Sequence, residues 1–149
     1  PHPTALGPAA SVWSQSNPPA QLFEKKMSGG ERARTLGRWG EEKTAEYLQK
    51  RGFTVTHRNW RCRFGEIDLI AENEQYLCFI EVKLRKSSAF GTAAAFVDHR
   101  KQEKLRLTAE LYLLDHPTQL QPRFDVTEVY APDGERTEEP QIDYIENAF

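Results

Sequence analysis

Cysteine is scarce in this chain. Cys62 and Cys78 are the two present, and they have no CxxC spacing. That excludes a disulfide framework and points to a reduced, cytoplasmic protein. Histidine is thin as well: His2, His57, His99 and His116 are scattered, without the ligand spacing of a structural zinc site. No apolar run reaches the roughly 18 residues of a membrane-spanning helix. The segment from Pro1 to Met27 lacks both the apolar core and the early basic cluster of a signal peptide. An excess of one charge is missing too, since the net charge is −2. What remains is an ordinary soluble composition in 149 residues. That length suits one domain that buries its own core without staples.

The charge is unevenly placed. From Arg51 to Arg106 there are eleven Lys and Arg against seven Asp and Glu. From Asp125 to Phe149 there are eight acids against one base, Arg136. A polyanion would be met by the middle of the chain and repelled by its end. A solvated surface with chance segregation explains the counts equally simply.

Residues 1–30 are rich in Pro, Ala, Ser and Gly and carry no periodicity, which reads as a disordered leader before a single domain over 31–149. Met27, the sole methionine, stands where an alternative start would lie. Glu31 to Arg51 has helical spacing in Leu36, Gly40, Thr44, Tyr47 and Leu48, and Gly52 follows as a C-cap. Phe53 to Arg61, Gly65 to Glu72 and Tyr76 to Leu84 read as three strands, the last two joined by a turn at Asn73 to Gln75. Residues 85–95 read as a loop. Phe96 to His116 reads as a second helix with Val97, Leu105, Ala109 and Tyr112 on its buried stripe, stopped by Pro117. Arg123 to Ala131 is a fourth strand, and Gln141 to Ile145 a short further one. The order is αβββαβ: an α/β fold with a central mixed sheet flanked by helices.

Chemistry concentrates in Phe-Ile-Glu-Val-Lys, residues 79–83. Glu81 and Lys83 stand two apart, so they project from one face of an otherwise apolar strand. A hairpin turning near Asn73 brings Asp68 opposite or next to Glu81. Cross-strand neighbours lie roughly 5 Å apart, and two carboxylates that close repel unless positive charge lies between them. A divalent cation such as Mg²⁺ is the natural solution, because it takes oxygen ligands with water completing the shell. Glu41 shares a helical face with Ala45 and Leu48 and is the inward acid, whereas Glu42 faces solvent. Asp68 and Glu81 then hold the metal, and Glu41 joins directly or through water. Lys83 orients or helps deprotonate the attacking water, or offsets charge on the phosphate. Arg85, Lys86, Arg100, Lys101 and Lys104 stand where phosphates could be gripped. The plainer alternative is an edge hairpin carrying a surface ion pair.

Gly40-Glu41, Gly52-Phe53, Asn59, the block Gly65 to Ala71 and the block Phe79 to Arg85 resemble the YraN-like family of bacterial proteins. Lys101, Ala109, Tyr112-Leu113, Arg123 to Val126 and the closing Asn147-Ala148-Phe149 fit it too, so the resemblance spans Arg34 to Phe149. That family looks like a member of the PD-(D/E)XK nuclease superfamily and is similar to Holliday junction resolvases. The resemblance implies a restriction-endonuclease-like αβββαβ core. It also implies a first-helix acid at Glu41, a metal aspartate at Asp68 and the Glu-x-Lys at Glu81 and Lys83. The proline that names the motif is replaced by Ile67.

The leading expectation is a Mg²⁺- or Mn²⁺-dependent endonuclease acting on DNA, on branched or repair intermediates. A catalytically inactive nucleic-acid-binding module of the same fold is the alternative. A third reading is an adaptor that binds a protein through its acidic tail or Phe149. A junction-cutting enzyme would be a homodimer, because symmetric cuts need paired sites. Outside the site, Asp125 reads as a strand acid bonded to backbone, Trp39 and Trp60 as packing residues, and His57 and His99 as surface histidines. Lys101 either reaches the site or keeps its head in water.

Overall fold

The first helix opens at Ser28. In the computed structural model, which describes residues 27–87 and 97–149, the Ser28 hydroxyl accepts from the Glu31 amide at 3.1 Å. The Glu31 carboxylate accepts from the Ser28 amide at 3.4 Å. This capping box satisfies two otherwise orphaned donors and starts α1 (Gly29–Lys50) two residues before the expected Glu31. At the far end the Phe53 amide donates to Leu48 O and the Gly52 amide to Gln49 O. That closure needs a left-handed residue, and Gly52 takes φ 86°.

The strands are β1 (Thr54–Cys62), β2 (Gly65–Glu72), β3 (Tyr76–Arg85), β4 (Gln121–Tyr130) and β5 (Gln141–Ile145), with α2 (His99–Asp115) between β3 and β4. They form one sheet in the order β1-β2-β3-β4-β5. The β3–β4 pair is parallel, and the other pairs are antiparallel. The turn between β2 and β3 is set by Asn73, whose side-chain oxygen accepts from the amides of Gln75 and Tyr76 at 2.9 and 2.7 Å. The expected architecture therefore holds, with the further strand at the sheet edge.

Three further expected starts differ. Strand β1 begins at Thr54 rather than Phe53. The second helix begins at His99, not Phe96, because the Asp98 carboxylate caps it by accepting from the Lys101 amide at 2.8 Å. Strand β4 begins two residues before Arg123 because Pro122 sits near the strand's start, where a missing N–H is tolerated. Of the leader expected over residues 1–30, Gly29 and Gly30 lie in α1; its residues 1–26 and most of the expected loop, residues 88–95, fall outside the described residues, as does Phe96.

Both faces of the sheet are covered. Leu48 of α1 packs with Leu69, Ala71, Cys78 and Ile80 on one side. Val97, Leu105, Ala109 and Tyr112 pack with Ile70, Leu77, Phe79 and Val126 on the other. Burial of both faces explains why Leu77 to Ile80 form an unbroken apolar run. Ile70 is buried under α2 for the same reason. Gly40 brings α1 close to β3: a Cβ there would stand 2.8 Å from a Leu84 methyl. Among the described residues, no helix is long and apolar enough to cross a membrane.

The alternation of β1 and β2 breaks at one level. Arg58 and Leu69, which pair across the two strands, face α1: Arg58 bonds Glu42, and Leu69 joins the Leu48 cluster. Trp60 and Ile67, the pair two residues on, face α2: Trp60 meets the Tyr112 ring edge-on at 5.3 Å, and Ile67 joins the Tyr112 cluster. Asn59 and Asp68 lie between these pairs, and Asn59 has φ 53°. This left-handed residue turns the strand over, and asparagine tolerates it better than most.

Candidate active site

The β2–β3 ladder runs from Glu72↔Leu77 to Leu69↔Ile80. One step further, Asp68 and Glu81 would pair. Instead Asp68 turns its carboxylate to the Val82 amide and accepts from it at 2.8 Å. The last rung of the hairpin is thus a side-chain bond, and the two acids meet where the strands part. This is the carboxyl end of β3 and β4 and also the start of α2, the usual place for a site in an α/β sheet.

The electrostatics are strained. Burial raises Asp68 above the usual carboxylate range, the Val82 amide pulls it back, and Glu66 pushes it up again. Burial and then the Asp68 charge push Glu81 up to about 7, against the pull of Lys101 and Lys83. Lys101 brings its ammonium to 3.7 Å from Glu81 Oε1, although its side chain is 47% exposed and that of Glu81 only 15%. Lys101 therefore does reach the acids. Lys83 shares Glu81's face, and its charge acts on Glu81.

Glu41 enters from α1. Its Oε2 accepts from Asn59 Nδ2 at 2.8 Å. Burial raises it, the Asn59 bond lowers it, and Asp68 then Glu66 raise it again. Glu41 is half-buried, whereas Glu42 is exposed and paired with Arg58 at 3.2 Å, as the helical spacing implies. Asp68 thus links the cluster: its charge acts on both Glu41 and Glu81, and Lys101 and Lys83 act on Glu81. Arg85, Lys86, Arg100 and Lys104 do not line the acids; all four are exposed. On α2, Lys104 stands one turn on from both Lys101 and Arg100.

The donor set fits a hard divalent cation: half-buried carboxylates in mutual repulsion, with oxygen as the donor atom. Asp68 and Glu81 would hold it. Among the described residues, no group of three His, Cys, Asp or Glu side chains is arranged around one point. Water would complete most of such a shell.

Three residues at the site escaped the sequence pattern. Glu66 repels both Asp68 and Glu41 while pairing with Arg61 at 2.7 Å. Glu128 stands beside Lys83 in the β3–β4 register, 1% exposed. Its Oε2 accepts from Tyr130 at 2.6 Å, and its Oε1 has no hydrogen-bond partner among the described residues. Asn59 was legible as part of the family likeness, but nothing in the strand pattern marked its left-handed turn.

Elsewhere the side chains settle other readings. Asp125 is fully buried and accepts from Arg123 Nε at 2.9 Å, Tyr144 Oη at 2.5 Å and the Asn147 amide at 2.8 Å. It ties β4 to the chain's end and does not touch the acids. Phe149 stacks on Phe124 at 5.1 Å, so it packs against the domain itself. His57 is not a plain surface residue, since its ring meets Tyr112 and His116 edge-on, both at 5.2 Å. His99 is exposed and pairs with Glu103.

The family model described as "Uncharacterised protein family UPF0102" matches residues 40–129, which holds every residue of the acidic cluster. A UPF0102 protein of Caldanaerobacter subterraneus is 41% identical over 78% of this chain and 95% of its own length. One of Nocardia farcinica is 44% identical over 76% of this chain and 88% of its own. One of Pseudomonas aeruginosa is 37% identical over 83% and 98%.

Proposed function

From a chain that belongs to the UPF0102 family, with two half-buried carboxyls opposed where β2 and β3 part, we propose a metal-dependent endonuclease. It hydrolyses phosphodiester bonds in DNA, with branched or repair intermediates as the substrate class. The observation that carries this reading is the Asp68–Glu81 pair with Lys83 and Lys101 set against it. Charges that repel in a buried place weaken the fold, so a site is the natural reason for them.

A divalent cation bound at Asp68 and Glu81 supplies polarisation of the phosphate and a more acidic water. The protein's own groups do the rest. Lys83, on the face of Glu81, places an ammonium where negative charge grows on the phosphate. Glu41, held by Asn59, orients water from the α1 side. Arg100 and Lys104 bind flanking phosphates from α2, and Arg85 and Lys86 from the end of β3.

The test is cleavage of four-way junction, flap, single-stranded and duplex DNA in Mg²⁺, Mn²⁺ or EDTA, beside Glu81→Ala. Cutting that needs metal and vanishes in the variant supports the reading. No cutting, with DNA binding unchanged by EDTA and by the variant, favours a binding module. One observation leans that way: Lys101 already pairs with Glu81.

A further inference from the structure

On the α1 side of the acids lies a cleft of about 450 Å³ lined by Arg34, Arg38, Glu41, Asn59, Arg61 and Glu66. It opens beside the candidate site, because Glu41 and Asn59 belong to both. Three guanidiniums face it. Arg38 acts on the Glu41 charge, and Arg61 holds Glu66 at 2.7 Å. Arg34 and Arg38 are exposed and stand one helical turn apart. Gly37 also lines the cleft, and a Cβ there would meet nothing within 4 Å. Packing therefore does not require glycine at that point, although glycine weakens a helix interior. What a side chain at 37 would fill is the space of the cleft.

We infer that this cleft is a second phosphate-binding subsite, taking the backbone of a nucleic-acid strand beside Glu41, opposite the basic face of α2. Arginine suits the task, since its planar fork matches two phosphate oxygens. A strand crossing the acids would then be gripped on both sides, by Arg34, Arg38 and Arg61 from α1 and the β1–β2 hairpin, and by Arg100 and Lys104 from α2. A cleft of about 450 Å³ suits one strand, such as a flap or a frayed junction arm. This inference rests on the nucleic-acid reading above and adds where the strand runs.

The test is binding of a labelled single-stranded DNA by fluorescence anisotropy, in EDTA to prevent cutting, across a range of KCl concentrations. Arg34→Gln/Arg38→Gln is expected to bind about 10-fold or more weakly and to lose about 1.4 from the slope of log K against log salt, at roughly 0.7 per phosphate contact. Arg34→Lys/Arg38→Lys should keep most of the slope. Lys50→Gln, some 18 Å along the same helix at 1.5 Å per residue, should leave it unchanged. Gly37→Leu should melt no lower than the parent yet bind DNA less well, a split that a purely structural glycine would not produce. If the parent binds with a steep slope and neither the arginine pair nor Gly37→Leu alters it, the cleft is not a subsite, and the nuclease reading stands without it. If the parent shows no salt-dependent DNA binding, both readings fall together.

Discussion

Asn59 holds Glu41 through a 2.8 Å side-chain bond while its own backbone sits at φ 53°, so one residue both reverses a strand and positions an acid of the opposing helix. The two roles can be separated. Asn59→Gly keeps the backbone free to turn and loses only the bond, so its stability should stay within about 1 kcal/mol of the parent. Asn59→Val forces a β-branched residue into the left-handed region and should lose roughly 1–2 kcal/mol or more. Urea melts of the two variants check this, and equal melts would show that the turn does not depend on residue 59.

The raised carboxyls give a pH dependence with a definite sign. Glu81 is pushed up to about 7 from an ordinary value of 4.5. A group whose folded pKa is raised contributes stability at pH below its unfolded value and loses it as pH rises through the folded one. In EDTA the melting temperature should therefore fall between pH 5 and pH 8. Glu81→Gln should flatten that fall and melt higher at pH 8. Thermal melts across that range, with and without Mg²⁺, provide the measurement. Mg²⁺ should raise the parent's melting temperature at pH 8 and leave that of Asp68→Asn/Glu81→Gln unchanged. An equal shift in both would place the cation elsewhere.

Asp125 is a structural anchor. Asp125→Ala removes the bidentate partner of the buried Arg123 guanidinium, leaving it only the longer 3.8 Å pair with Glu146, and frees Tyr144 and the Asn147 amide. A loss of about 3–5 kcal/mol is expected, in the range for breaking a buried ion pair. Chemical denaturation would measure it. A loss under about 1 kcal/mol would mean that the network relaxes without the cost expected of unsatisfied buried groups.

The two thiols should differ in reactivity. Cys78 is fully buried, and burial, then the Asp125 charge, pushes its thiol up to about 12. Cys62 is only half-buried, near the β1–β2 turn. Iodoacetamide at pH 8 should label Cys62 alone in the folded protein and both after urea. Mass spectrometry of the digests would show it, and rapid native labelling of Cys78 would contradict the packing.

The elements were legible in the sequence because each carries its own signal. Gly52 marked the end of α1, Asn73 the β2–β3 turn, and the periodic apolar residues both helices. The nearness of Asp68 to Glu81 followed from counting back through that turn. What could not be read was set by contacts distant in sequence. The strand reversal at Asn59 is a backbone event that leaves no periodic trace. The burial of Glu128 depends on which strand lies beside Lys83. The arginines of α1 look like an ordinary solvated face until the hairpin folds up against them. Asp98 was passed over because the apolar stripe at Val97 drew the helix start too early.

The rung where Asp68 takes the place of a backbone carbonyl has a consequence for how this protein tolerates change. The β2–β3 hairpin is zipped by main-chain bonds up to Leu69 and Ile80, and from there it is fastened by a side chain that is also an acid of the site. Loss of Asp68 therefore also unfastens that end of the hairpin, so an inactive variant at 68 could owe its defect to geometry alone. Glu81 has no such second duty among the bonds described here. It is the cleaner position at which to silence the chemistry while keeping the scaffold intact.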